Sequence, residues 1–145
     1  MRLIVIAVGK AKEPALREWL DDYLARIRTH VPCSEIELRD GKHVEQALRA
    51  AIPPEAYTVA LEVFGTAMTS EDLSRLIQRK GSENKGTVAF VIGGADGIPK
   101  AISSQAHLRM SLSAMTLPHR IARLVLTEQL YRAISIWKGT PYHRA

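Results

Sequence analysis

Thr87-Val88-Ala89-Phe90-Val91-Ile92-Gly93-Gly94-Ala95-Asp96-Gly97 joins an unbroken apolar run to a glycine-rich turn. Six residues without a charge, followed at once by glycine, suit a strand covered on both faces. Three glycines in five residues then let the backbone turn tightly and approach a ligand closely. The turn is not GxGxxG, and no acid follows at about twenty residues, so a dinucleotide site is disfavoured. A tight turn without a ligand is the competing reading.

Upstream of this run the pattern alternates. Residues 2–8 read as a first, buried strand. Residues 13–29 carry Leu16, Trp19, Leu20, Tyr23, Leu24 and Ile27 at helical spacing, with Pro14 near the start, where proline is tolerated. Residues 34–39 alternate polar and apolar, as a half-exposed strand does, and a short helix around 43–51 closes at Pro53-Pro54. Residues 57–63 give a third strand, and Thr69 is a good N-cap for a helix to about Lys80, with Asp72 in its first turn. Gly81 to Gly86 reads as a polar loop. The order β-α-β-α-β-α-β predicts an α/β layered fold with a parallel sheet, in one domain spanning 1–145. Ligands in such sheets bind beyond the carboxyl ends of the strands, so the loops after residues 62 and 92 are the first to search.

Downstream, a short helix (99–106) and a strand (107–112) lead to Ser113–Leu117, and a helix runs from about Pro118 to Trp137. Small residues entering a helix start leave backbone N–H groups for carboxylate or ring-nitrogen acceptors. Met115 and Leu117 would wall an adenosine moiety; Thr116 as N-cap is the bland alternative. The long helix has an apolar arc wider than one sheet contact needs, which predicts packing on a second subunit. Glu128 and Arg132, four apart, form a surface pair or orient an arginine toward RNA. The tail Pro141-Tyr142-His143-Arg144-Ala145 combines a stacking ring, a titratable imidazole and a phosphate-binding guanidinium, although its composition alone reads as a disordered end.

Charge agrees with an anionic partner. Residues 1–98 carry 13 Lys+Arg against 14 Asp+Glu, whereas residues 99–145 carry 7 against Glu128 alone. A basic segment beside a neutral body suits nucleic acid, or a merely solvated basic face. One cysteine, Cys33, excludes an internal disulfide and reads as a small inert residue rather than a nucleophile. No cluster offers zinc ligands, so no metal is expected. Leu3–Val8 is too short to span a membrane, and a cytoplasmic location is expected.

Taken together, AVGK, Leu61-Glu62-x-x-Gly65, FVIGG at Phe90–Gly94, SLSAMTLPH at Ser111–His119, LYRA at Leu130–Ala133 and the terminal PYHR resemble the ribosomal RNA large subunit methyltransferase H family of the SPOUT class. The resemblance runs the length of the chain. It implies a SPOUT-type layered α/β/α parallel sheet with a C-terminal deep trefoil knot. It implies a homodimer that uses S-adenosylmethionine to methylate N3 of a pseudouridine in 23S rRNA on the assembled 70S ribosome. Leu61, Gly93, Gly94 and the loop Leu112, Ser113, Ala114, Met115, Thr116 and Leu117 match the cofactor contacts. Tyr142, His143 and Arg144 match the tail expected at the target base, with Glu128 and Arg132 beside them; His143 is the first candidate for general base and Glu128 the second. The chain departs from the family in Ala95-Asp96, where Pro-Glu is common, in Thr66, where a base is common, and in Thr140, where histidine is usual. A non-catalytic ribosome-binding factor and a SPOUT enzyme acting on tRNA are the alternatives.

Overall fold

The computed structural model describes residues 1–83 and 86–144; Asn84 and Lys85, within the expected polar loop, and Ala145, at the tail's end, lie outside the described residues. The elements are β1 (Arg2–Val8), α1 (Pro14–Arg28), β2 (Cys33–Leu38), α2 (Val44–Ala51), β3 (Tyr57–Ala67), α3 (Ser70–Gly81), β4 (Thr87–Ile92), α4 (Lys100–Gln105), β5 (Leu108–Ser111) and α5 (His119–Lys138). The strands form one sheet in the order β2-β1-β4-β3-β5, with every neighbouring pair parallel.

Period-two alternation splits the core. Leu3, Val5, Ala7, Val88, Phe90 and Ile92 face α1, α3 and α5, while Ile4, Ile6, Val8, Ala89 and Val91 face α2 and α4. The chain steps one way across the sheet through α1 and α3, and the other way through α2 and α4. Opposite directions on opposite faces are what a single crossover hand requires. All six residues of β4 are buried, which is why they read as an unbroken apolar run.

Three local expectations change. The third strand continues past residue 63 to Ala67, because its pairing with β5 breaks after Leu61 and resumes at Thr66, leaving residues 62–65 as an outward excursion. Thr116 does not cap α5. The helix begins at His119, the Pro118 carbonyl accepts the first bond from Ala122 N–H at 2.8 Å, and Thr116 lies two residues too early. The polar side of β2 is not left to water, because Glu35 and Glu37 bind arginines of α1 and α5. Thr69, by contrast, caps α3 in a reciprocal box with Asp72. Among the described residues no helix is long and apolar enough to cross a membrane, and no group of three His, Cys, Asp or Glu side chains could hold a metal ion. Cys33 is buried, and that burial pushes its thiol up to about 11.

Candidate functional site

A cavity opens at the carboxyl ends of β3, β4 and β5. It holds roughly 640 Å³ of space between atoms, its open mouth included. Leu61, Ile92, Ile98 and Leu112 give it apolar walls, the glycines 93, 94 and 97 give it a backbone floor, and Glu62, Ser111, Ser113 and His119 add polar atoms. Its position follows from the strand order. β3 lies between β4 and β5, so the turn after β4, the excursion of β3 and the loop after β5 come together.

Each contributor has a local cause. At Gly93 a Cβ would sit 2.4 Å from the Gly97 carbonyl carbon, so the turn closes only with glycine there. Gly97 N–H donates to the Gly94 carbonyl at 3.0 Å, closing the hairpin. In the loop after β5, Ser113 Oγ accepts from Met115 N–H at 2.9 Å, and Ser111 Oγ–H donates to the Ser113 carbonyl at 2.9 Å. That folding leaves Met115 at the mouth, 78% exposed. Glu62 Oε2 accepts from Ser103 Oγ–H at 2.8 Å, which ties the β3 excursion to α4.

Of the residues singled out for a cofactor, the structure brings Leu61, Gly93, Gly94, Leu112, Ser113, Met115 and Leu117 to the cavity lining. Ala114 and Thr116 are exposed on the same loop and do not line it. Glu62, Val63, Ile92, Ile98 and Ala122 line it and were not singled out. Strand register could have pointed to Ile92, the last residue before the glycines; Gly65, whose Cβ would meet the β5 backbone at 2.7 Å, was the available signal for the β3 excursion.

The tail folds back onto its own protomer. Gly139, at φ +72°, ends α5 and turns the chain back, a left-handed conformation that costs glycine little. Tyr142 then packs edge-on against Tyr131, with ring centroids 4.6 Å apart, and Arg132 lies over the Tyr142 ring at 4.8 Å. The Tyr142 hydroxyl donates to Glu128 Oε1 at 3.2 Å and lies 3.2 Å from the Tyr23 hydroxyl on α1. Burial, and then the bond with Tyr23, push the Tyr142 phenol above its ordinary range. Glu128 also accepts from Arg132 Nε at 2.8 Å, pairs with Arg132 Nη2 at 2.7 Å and accepts from Gln129 Nε2 at 3.0 Å. His143 meets Arg132 Nη1 at 3.1 Å and Glu71 Oε1, on the first turn of α3, at 2.7 Å. Arg144 is exposed.

Within one chain, the tail and the cavity are apart. Ala122, in the cavity wall, and Arg132, at the tail, are ten residues apart on α5, about 15 Å along the axis.

A second arrangement lies beside the first turns of α5 and is absent from the sequence reading. Arg123, buried on the second turn of α5, donates to Glu35 at 2.8 Å and Glu37 at 2.6 Å, and reaches the Gly9 carbonyl at 3.4 Å. Arg17 of α1 shares both acids, and Ala11 N–H donates to Glu37 Oε2 at 2.7 Å. Burial works against ionised Glu37, but the Ala11 N–H and Arg123 overcome it and hold the carboxyl below its usual range. Arg123 Nε is buried without a hydrogen-bond partner among the described residues. Two acids two apart on a strand share a face, and that was the available signal that a cation sits above them.

A parallel α/β/α sheet with a cavity between a post-strand glycine turn and a small-residue loop entering a helix defines a ligand-binding α/β protein of the methyltransferase kind. The chain belongs to the SPOUT methyltransferases: the family model described as "Predicted SPOUT methyltransferase" matches residues 1–143. It is 50% identical over 143 residues, covering 98% of this chain and 99% of the other, to the ribosomal RNA large subunit methyltransferase H of Sorangium cellulosum. It is 40% identical to the protein of that name from Solidesulfovibrio magneticus, over 97% of both chains, and 35% identical to that from Shouchella clausii, over 99% and 100%. Among solved structures, a probable methyltransferase from Bordetella pertussis Tohama I shares the fold, with TM-score 0.58, 15% identity and coverage of 92% of this chain and 96% of that one.

Proposed function

We propose that this protein is a large-subunit ribosomal RNA methyltransferase that transfers a methyl group from S-adenosylmethionine to N3 of a pseudouridine in 23S rRNA. The observation that carries the reading is the meeting of two separate backbone segments, Gly93–Gly97 and Ser111–Leu117, around one mainly apolar cavity at the strand ends. The full-length likeness to relatives named as large-subunit rRNA methyltransferases supports the substrate class.

The residues present fit the methyl donor. Apolar walls from Leu61, Ile92, Ile98 and Leu112 suit an adenine ring and the aliphatic chain beside the sulfonium, and the polar atoms of Ser111, Ser113 and Glu62 suit its ribose and amino-acid groups. When bound, S-adenosylmethionine supplies a methyl carbon already activated on a sulfonium. What remains for the chain is alignment and a proton acceptor for the target imino group. His143 serves that second task because a neutral imidazole can accept a proton near neutral pH, whereas Glu128 is a carboxylate held by the Arg132 cation. Arg132 and Arg144 offset phosphate or developing charge, and Tyr142 walls the base.

The separation of tail and cavity within a chain favours a homodimer in which one protomer's tail serves its partner's cavity. Exposed Ile121 and half-buried Leu124, Val125 and Trp137 offer α5 for that contact. The reading includes one domain over 1–145, a deep trefoil knot threading the C-terminal segment, action on the assembled 70S ribosome, and a cytoplasmic location. Purified protein incubated with labelled S-adenosylmethionine and 70S ribosomes, free large subunits or tRNA tests it. Label at a 23S pseudouridine, greatest in 70S ribosomes, is expected. Label confined to tRNA overturns the substrate, and absence of donor binding by calorimetry overturns the enzyme.

A further inference from the structure

Arginine carries only N–H donors, so a contact of 3.1 Å between Arg132 Nη1 and His143 Nδ1 makes Nδ1 the acceptor. A neutral imidazole then carries its proton on Nε2, which lies 2.7 Å from Glu71 Oε1. Each ring nitrogen has one partner, and the two partners come from different elements, α5 and α3. The tail motif gives no hint of the second. His143 is 19% exposed and Glu71 44%, so the pair forms at the edge of the tail's packing.

We propose that Glu71 is a positioning residue for the methyl transfer: it fixes His143 as the Nε2–H tautomer, presents Nδ1 as the proton acceptor and stabilises the imidazolium that results. This rests on the reading of the tail as part of the RNA site. The balance is simple. The imino proton of the target nucleotide goes to Nδ1. The freed N3 electron pair forms the new bond to the methyl carbon, and the pair of the broken sulfur–carbon bond stays on sulfur. For this transfer Arg132 Nη1 must give way at Nδ1 when the target base arrives; Glu128 holds the same guanidinium through Nε and Nη2.

Glu71 is suited to the task. The backbone N–H at the helix start, followed by His143, holds its carboxyl below the usual range, which favours the ionised carboxylate. The other ionisable groups on the surrounding elements are Glu128 on α5, Asp72 and Arg75 paired with each other on α3, Tyr23 and Arg26 on α1, and Tyr142 and Arg144 in the tail. Glu128 is engaged by Arg132, which leaves Glu71 as the carboxylate in direct contact with the ring.

Nitrogen-15 spectra of His143, read by long-range ring couplings without RNA, test the tautomer; pH–rate profiles on 70S ribosomes test its use. The wild-type ring is expected as Nε2–H at alkaline pH. In Glu71→Ala the tautomers mix, because the carboxylate that selects Nε2–H is gone. The plateau of the rate profile falls roughly tenfold or more. Glu71→Asp restores the tautomer and part of the rate. A Glu71→Ala ring with an unchanged tautomer, or a variant whose plateau rate is unchanged, overturns the proposal. Wild-type protein that shows the expected tautomer yet methylates no RNA overturns the functional reading and leaves the Glu71–His143 pair standing.

Discussion

At its first turns α5 borders open space, and at its last turns it is covered by its own chain. Around His119 and Ala122 the neighbours are a glycine turn, an apolar cavity and the exposed Met115. Around Arg132 the neighbours are Glu128, Tyr142 and His143, each already bonded within the protomer. One end is built to receive a ligand and the other to hold side chains still. On the proposed function, a site that needs both a donor pocket and a fixed imidazole would draw on both ends of the helix, and the proposed homodimer would bring them together.

The comparison can be broken most forcefully at Arg123. Removing it leaves Glu35 and Glu37 beneath α5 without that cation, and breaking a buried pair from one side costs about 3–5 kcal/mol. Urea denaturation of Arg123→Ala should show a loss of that size. The wild-type contribution of Glu37 carries a pH signature. Its carboxyl is depressed in the folded state, so the stabilisation is complete above the ordinary glutamate range and is lost as pH falls below that range through the depressed folded-state value. Denaturation midpoints measured at pH 7 and pH 3 in wild type and Glu37→Gln should converge at the acidic end.

A second way to sharpen the contrast is to strike each end separately. His143→Ala should cut methyl transfer by about 100-fold or more, the usual scale for a proton acceptor, while calorimetric affinity for S-adenosylmethionine stays within about twofold. Gly93→Ala should do the reverse. Its Cβ meets Gly97 backbone at 2.4 Å, the turn must shift, and donor affinity should drop by about tenfold, a loss near 1.4 kcal/mol. Equal effects on binding from both variants would mean the two ends are not separate. The smallest expected change is Thr69→Ala, which removes the cap of α3 beside Glu71 and should cost about 1 kcal/mol in thermal or urea unfolding.

The legible part of the fold was the part set by local pattern. Phe90 and its neighbours announce a central strand because both faces are covered, and Thr69 announces a helix because its side chain satisfies a backbone donor nearby. The glycine turn and the loop after β5 were legible as backbone that can approach a ligand. What stayed hidden depended on strand order. Glu35 and Glu37 look like a solvated edge until β2 is placed under α5, and Arg123 looks like one more surface arginine. Glu71 looks like a first-turn acid until the chain reverses at Gly139 and lays His143 against it. Composition also misjudged the tail, since a short polar end can be fastened by four side-chain bonds.

The sheet order has a temporal consequence. β1 is flanked by β2 and β4, so its second edge stays open until the chain has been made to residue 92. At a ribosomal rate of roughly 5–20 residues per second, the gap between the first strand and the fourth lasts about 4 to 16 s. Through that interval Leu3–Val8, among the most completely buried residues of the finished protein, has pairing available on one side only. The nascent chain must keep its most apolar segment from wandering into the wrong partnership until its other neighbour emerges.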